Sequence, residues 1–249
     1  MVILCGTDFS KAARAAVRAA ATLARARAEE LVLAHVLDVP PTLQAFGDPA
    51  LDVPLAQMEL LRMAEERARS TLEEVARQEA ARATRVRTVL HYGEVDRVLV
   101  DLAAEYEASS IVVAATGQRS NLLWKLGSHA DRVAQTARHP VLVVRDAAPF
   151  EAWTDGLRPL RVMLALDRSP TCAAALRFVG EWSARFPTAV IGVHVYWPPD
   201  EIARATAAPK RAENLAPTIQ LGAKHPELDR ELEAEFRAWL ATLPDPPEL

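Results

Sequence analysis

Cysteine is scarce in this chain, with 2 among 249 residues, Cys5 and Cys172. Two isolated cysteines form neither a zinc-ligand cluster nor a disulfide framework. Cys5 lies in the apolar run that opens the sequence, so we expect it to be a buried thiol. This cysteine usage is typical of a reducing compartment, and we expect a cytoplasmic protein. A chain of this length can bury a core without disulfides or metal.

Long apolar runs and excess positive charge are also missing. No segment approaches the roughly 20 apolar residues of a membrane helix, and the N-terminal apolar run is too short for a secretory signal. There are 29 basic and 33 acidic residues, a net charge of −4, so we expect no membrane or nucleic-acid partner. Gly-x-Ser-x-Gly, His-Glu-x-x-His and Walker motifs are absent as well, which argues against an enzyme.

The residues that are present alternate between short apolar runs and helical patterns. Continuous apolar runs separated by helices indicate a parallel sheet that is covered on both faces. Ser10 is placed to cap the first helix. The predicted strands are 1–5, 31–37, 85–90, 110–115 and 140–145, and the predicted helices are 11–27, 55–83, 93–106 and 128–138. The sequence therefore predicts a doubly wound, five-stranded α/β fold with strand order 3-2-1-4-5.

The start of the chain recurs 159 positions later. Asp8-Phe9-Ser10 reappears as Asp167-Arg168-Ser169, and His35-Val36 as His194-Val195. Repetition at this scale predicts two copies of one folding unit, over residues 1–149 and 158–249, with residues 150–159 as a linker. The same offset takes Leu249 back to Leu90, so the second copy is expected to lack the last strands. A truncated chain and a natural loss would both explain this.

One loop carries the pattern of a phosphate site. After the predicted fourth strand come Ala114-Ala115-Thr116-Gly117, nine further residues, and then Gly127-Ser128 at the start of a helix. Glycines let the backbone approach a ligand closely, and free N–H groups at a helix start attract anions. Ser128 could cap that helix or bind a phosphate oxygen, and a plain loop with a helix cap is the structural alternative.

This ordered set of features resembles the universal stress protein family. ATP-binding members carry Gly-x2-Gly-x9-Gly-Ser/Thr at this point, and here Ala114 replaces the first glycine. Asp8 in the first turn, His35-Val36, Gly93-Glu94 and the strand from Pro140 to Arg145 are also similar to the family. The chain is accordingly identified as a tandem member with an incomplete second copy that lacks the glycine loop.

The resemblance implies a binding site residue by residue. The turn after the first strand would contact adenine and ribose, Val36 would line the adenine pocket, and the glycine loop and helix start would hold the phosphates. The implied ligand is ATP or ADP with magnesium, with at most slow hydrolysis. The implied site residues are Gly6, Thr7, Asp8, Val36, Ala114, Gly117, Gly127, Ser128, His129 and Ala130.

Alternative interpretations accompany these assignments. Asp8 could simply stabilise its turn, and the recurrence of His35 as His194 favours a structural role for both. Ala114, together with the bulky Asn121 and Trp124, favours a nucleotide-free module for dimerisation and partner binding. A nucleotidyl transferase is a weaker alternative, since the catalytic His and Lys signatures are missing. The resemblance as a whole implies a stress-response regulator that binds an adenine nucleotide.

The last predicted strand, from Pro140 to Arg145, is apolar and lies at the sheet edge. In the family this strand commonly pairs with the same strand of another domain. Exposed apolar edges recruit further strands, and the simplest closed arrangement is a two-fold dimer. We therefore expect a homodimer through this strand.

Overall fold

The computed structural model describes residues 1–38, 55–83, 85–117, 126–167, 169–195 and 226–242. The chain divides into two compact units, Met1–Leu157 and Arg158–Leu249. Each unit is an α/β arrangement with its own parallel sheet. Within the described residues, no helix is both long enough and apolar enough to cross a membrane.

The first unit is built on a five-stranded parallel sheet. Its strands are β1 (Val2–Gly6), β2 (Glu30–Leu37), β3 (Val86–Tyr92), β4 (Ala108–Ala114) and β5 (Val141–Val144). The strand order is β3-β2-β1-β4-β5, with every neighbouring pair parallel. The predicted fold class is therefore confirmed, strand order included.

The described part of this unit contains five helices: α1 (Lys11–Arg27), α2 (Leu55–Glu79), α3 (Val95–Glu105), α4 (Ser128–Thr136) and α5 (Ala148–Thr154). Leu4 and Val32 pack in one core cluster with Val98 on α3. The intervening strand residues, Ile3 and Leu31 among them, are equally buried. Because successive strand residues point to opposite faces, both faces of the sheet are covered, as the continuous apolar runs predict.

Helix α5 corrects the prediction of a linker at residues 150–159. A proline in the first helical turn suits a helix start. Trp153 is buried, and α5 packs against α1. Arg18 approaches Glu151 at 3.8 Å, and Arg25 approaches Asp155 at 3.6 Å. Burial of the Trp153 side chain stabilises this helix. The sequence did not predict the helix because the composition of the segment is typical of a turn.

The second unit contains a two-stranded parallel sheet. Its elements are β6 (Leu160–Ala165), α6 (Pro170–Ser183), β7 (Thr188–Val193) and α7 (Pro226–Leu240). Leu164, Leu176 and Phe236 form its small core. Arg168, in the recurring turn of the sequence repeat, lies outside the described residues.

Each unit contains the same set of internal hydrogen bonds, at positions that match in the sequence repeat. Ser10 Oγ accepts from the Ala13 N–H at 3.0 Å, and Ser169 Oγ accepts from the Cys172 N–H at 3.0 Å. The ring Nδ1 of His35 lies 2.7 Å from the Thr7 carbonyl oxygen, and that of His194 lies 2.7 Å from the Leu166 oxygen. Because the same bond ties strand to turn in both units, these contacts support the structural interpretation of the two histidines.

Candidate functional site

The candidate site lies at the carboxyl ends of β1 and β4, the two strands where the strand order reverses. Crossover connections leave these strands in opposite directions, which opens a crevice at that edge. Two loops enter it, one following each strand. The predicted site residues belong to these two loops, to β2 and to the start of α4.

The turn after β1 is tied down by its own side chains. The Ser10 N–H donates to Asp8 Oδ1 at 3.0 Å, and the Phe9 N–H donates to Thr7 Oγ1 at 3.1 Å. Thr7 is buried, and its backbone N–H donates to the Ala34 carbonyl at 2.9 Å. The interpretation of Asp8 as a turn-stabilising residue is therefore correct. That role uses Oδ1, while Oδ2 faces the second loop.

Phe9 adopts a left-handed backbone conformation, with φ of 63°. This conformation is rare for a bulky side chain and is commonest at functional turns. The Phe9 ring stacks on His35 with the ring centroids 4.3 Å apart, and His35 in turn contacts Thr7. The strained turn is thus fixed from two sides, which holds Asp8 in place.

Asp8 and Gly117 lie next to each other where the two loops meet. A Cβ atom on Gly117 would lie 2.9 Å from Oδ2 of Asp8, closer than real Cβ contacts come. Gly117 therefore leaves room for the carboxylate, a reason for the glycine that the sequence analysis did not foresee. The predicted adenine-side and phosphate-side residues are adjacent here.

The other end of the glycine loop folds back on its beginning. The Gly127 N–H donates to the Ala115 carbonyl at 2.8 Å, and the Ala115 N–H donates to the Val144 carbonyl at 2.8 Å. Against the described residues, a Cβ on Gly127 would have ordinary contacts only, at 3.6 Å or more. Unlike a side chain on Gly117, it would not force a neighbouring group to shift. Asn121 and Trp124, predicted to make the loop bulky, lie outside the described residues.

The start of α4 corrects one prediction. Gly127 occupies the N-cap position, without a side-chain cap, and Ser128 is the first helical residue. Ser128 is therefore not the cap, and its exposed hydroxyl is not used in that role. The first N–H groups of a helix have no partner within it, and here they belong to Ser128, His129 and Ala130. Their position at the helix N-terminus is the geometry that the predicted anion binding requires.

Three further predicted residues have structural roles. Gly6 packs closely, since a Cβ on it would lie 2.8 Å from a Leu99 methyl group. Val36 is nearly buried in the core cluster on β2, two residues beyond Ala34, which pairs with Gly6. Ala114 ends β4 and pairs with Val144. All three lie at or next to the carboxyl edge, and their contact with a nucleotide stays a prediction.

A charged cluster next to the start of α4 was missed from the sequence. Asp96 lies in the first turn of α3, and its Oδ1 is 3.0 Å from His129 Nδ1 and 3.0 Å from Arg132 Nη2. Both helices follow parallel strands and therefore begin at the same edge of the sheet. This shared edge was the sequence signal that could have predicted the cluster. Burial raises the pKa of Asp96, but the hydrogen bonds from His129, the backbone and Arg132 outweigh it and lower that pKa overall.

The metal-binding capacity of the site is limited. Among the described residues, no group of three or more His, Cys, Asp or Glu side chains is placed to hold a metal ion. A nucleotide-bound magnesium ion needs only one or two carboxylates in addition to phosphates and waters. The Asp8 carboxylate beside Gly117 fits that requirement.

Comparisons with known proteins agree with this architecture. The model of the universal stress protein family matches residues 1–145. The structure of universal stress protein UspA from Lactobacillus plantarum is 29% identical, covers 58% of this chain and 97% of that chain, and has a TM-score of 0.50. The search of curated proteins found no match.

Two structures from Archaeoglobus were also found. A universal stress protein from Archaeoglobus fulgidus DSM 4304 is 17% identical, with 83% of this chain and 70% of that chain covered and a TM-score of 0.58. At this identity the likeness concerns the fold alone, but it extends beyond residues 1–145. A universal stress protein from Archaeoglobus fulgidus was solved in complex with dAMP, at 23% identity, 57% and 96% coverage and a TM-score of 0.41.

Proposed function

The chain belongs to the universal stress protein family, and from that premise we propose that its first unit binds an adenine nucleotide, ATP or ADP with magnesium, as a stress-response regulator. The observation that carries the proposal is the meeting of Asp8 and Gly117 at the reversal point of the sheet. A carboxylate suited to ribose or magnesium lies beside a bare backbone at that point. Gly127, which hydrogen-bonds to Ala115 at the base of this loop, leads into the start of α4, whose first N–H groups have no partner within the helix and attract phosphate.

Supporting geometry comes from Gly127. Its φ of −65° and ψ of 148° suit any residue, and a side-chain methyl would meet only ordinary contacts. Glycine is more favourable than alanine at an N-cap, but neither the backbone conformation nor packing against the described residues requires a glycine here. Close approach of a phosphate to the loop backbone would explain it.

The first prediction follows from this contrast. Gly127→Ala should stay folded, with a loss of stability of up to about 1 kcal/mol because alanine is a poorer N-cap than glycine, and it should bind ATP more weakly because the added methyl group intrudes on the ligand. Calorimetry measures the affinity, and urea unfolding measures the stability. The matched control is Gly180→Ala, also in open space but in the second unit, which should leave binding unchanged. Normal ATP affinity in Gly127→Ala would remove the phosphate role from this loop.

Hydrolysis is proposed to be slow or absent, so the protein acts through binding and not as an enzyme. The second candidate function, a nucleotide-free interaction module, is favoured by Ala114, which places a methyl group where ATP-binding relatives have glycine. Nucleotide released on denaturing gently purified protein distinguishes the two, since only the binding function supplies it. We also propose a homodimer through β5 and a second unit that is a partial copy of the first.

A further inference from the structure

The charged cluster of Asp96, His129 and Arg132 has no part in the function proposed so far. It joins the first turn of α3 to the first turn of α4. Arg132 Nη2 lies 3.0 Å from Asp96 Oδ1 and also 3.0 Å from His129 Nδ1. The Asp96 side chain is 18% exposed and that of Arg132 is 52% exposed. One end of the cluster is thus anchored in the protein, and the other is open to solvent.

The positions of the protons follow from the chemistry of the three groups. Arginine can only donate, and the pKa of Asp96, which burial raises and hydrogen bonds from His129, the backbone and Arg132 lower, is below its usual value overall. Asp96 therefore accepts from both neighbours. A hydrogen bond from His129 to Asp96 requires the proton on Nδ1, and in that state Nδ1 cannot also accept from Arg132 Nη2, which then donates to Asp96 alone.

Arg132 keeps most of its donors under this arrangement. A guanidinium has five N–H groups in a planar fork, and the contact with Asp96 occupies one end of it. Side chains on a helix lean toward its N-terminus, so Arg132 extends back along α4 to His129, the second helical residue. Asp96 thereby holds a partly exposed cation against the side chain of His129, whose backbone N–H is one of those to which phosphate binding is assigned.

We propose that Arg132, held by Asp96, is the residue that makes this site prefer nucleotides with more phosphate groups. The inference rests on the proposed nucleotide site and specifies its ligand. A bidentate arginine is suited to a terminal phosphate, whereas adenosine and its first phosphate are assigned to the Asp8 turn and the glycine loop. The affinity order should therefore be ATP, then ADP, then AMP.

The test compares the affinities of ATP, ADP and AMP for wild-type protein and Arg132→Gln by calorimetry. Loss of a charge-assisted hydrogen bond should weaken ATP binding roughly ten- to hundredfold, with AMP affinity nearly unchanged. Arg132→Lys keeps the charge but not the fork and should fall between Gln and wild type. Arg138→Gln removes an exposed charge just beyond the other end of α4 and should preserve the ATP-to-AMP ratio.

Two negative outcomes are distinguishable. In the first, wild-type protein binds ATP, and Arg132→Gln weakens the affinities for ATP and AMP equally or weakens neither. The proposed role of Arg132 in selecting nucleotides with more phosphate groups is then wrong, while the nucleotide site itself is supported. If wild-type protein binds none of the three nucleotides, the proposed function fails and this inference fails with it. Circular dichroism verifies that each variant is folded. If Arg132→Gln does not fold, the Lys variant decides the outcome by its ATP-to-AMP ratio.

Discussion

At the scale of single residues, two glycines with the same motif assignment differ physically. A Cβ on Gly117 would force the Asp8 carboxylate to shift, whereas Gly127 has room for a methyl group among the described residues. Spacing in the sequence identified both but could not separate them, because the partner of Gly117 is 109 positions away. The contact is a consequence of the parallel sheet, which places the ends of β1 and β4 side by side.

Two serines at helix starts also differ and provide a prediction. Ser10→Ala removes the hydroxyl that accepts from the Ala13 N–H and should lower the free energy of unfolding by about 1 kcal/mol. Ser128→Ala removes no cap bond, so it should change stability by only a few tenths of a kcal/mol. If Ser128 binds phosphate, its variant should nevertheless weaken ATP binding. Urea unfolding and calorimetry measure the two quantities.

The opposite pattern would contradict both assignments. A stability loss in Ser128→Ala as large as that in Ser10→Ala would show that Ser128 caps the helix, although the structure contains no such hydrogen bond. Unchanged ATP affinity in a stable Ser128→Ala variant would remove the hydroxyl from the binding site.

At the scale of elements, the sequence was sufficient where a pattern was long and apolar. Helix α1 has the predicted bounds, and each of the five predicted strands is present with its ends displaced by a few residues. The failures are local and physical. Helix α5 was missed because one buried tryptophan outweighs turn-forming neighbours, and the Asp96 cluster was missed because it joins two helices brought together only by folding.

The edge strand β5 gives the prediction at this scale. The carbonyl groups of Pro140 and Val144 accept hydrogen bonds from β4, so by the alternation of a strand the N–H of Val143 points away from the sheet. Val143→Pro removes that outward donor but no bond to β4, and a proline is tolerated at such an edge. The variant should stay folded, and the proposed dimer should dissociate in sedimentation experiments.

A control strengthens this experiment. Leu142→Pro removes an inward donor on the same strand and should destabilise the unit itself, which thermal unfolding detects. A wild-type protein that sediments as a monomer at micromolar concentration would show that β5 does not form the interface.

At the scale of the whole molecule, the two units share a local design and differ in extent. Cap, turn and histidine contacts recur at matched positions, which supports the proposal that the second unit is a partial copy. The loop that carries Gly117 and Gly127 belongs to the first unit. We therefore propose nucleotide binding in the first unit, where Asp8 and Gly117 meet.

The most direct test of this account is calorimetric titration of the full chain with Mg-ATP, beside Gly117→Val. The account predicts saturable binding to the wild type and none to the variant, because the valine side chain would displace the Asp8 carboxylate and fill the phosphate path. Gly180→Val, with open space around it in the second unit, should bind as the wild type does. Equal ATP binding by wild type and Gly117→Val, or no binding by the wild type, would contradict the central claim.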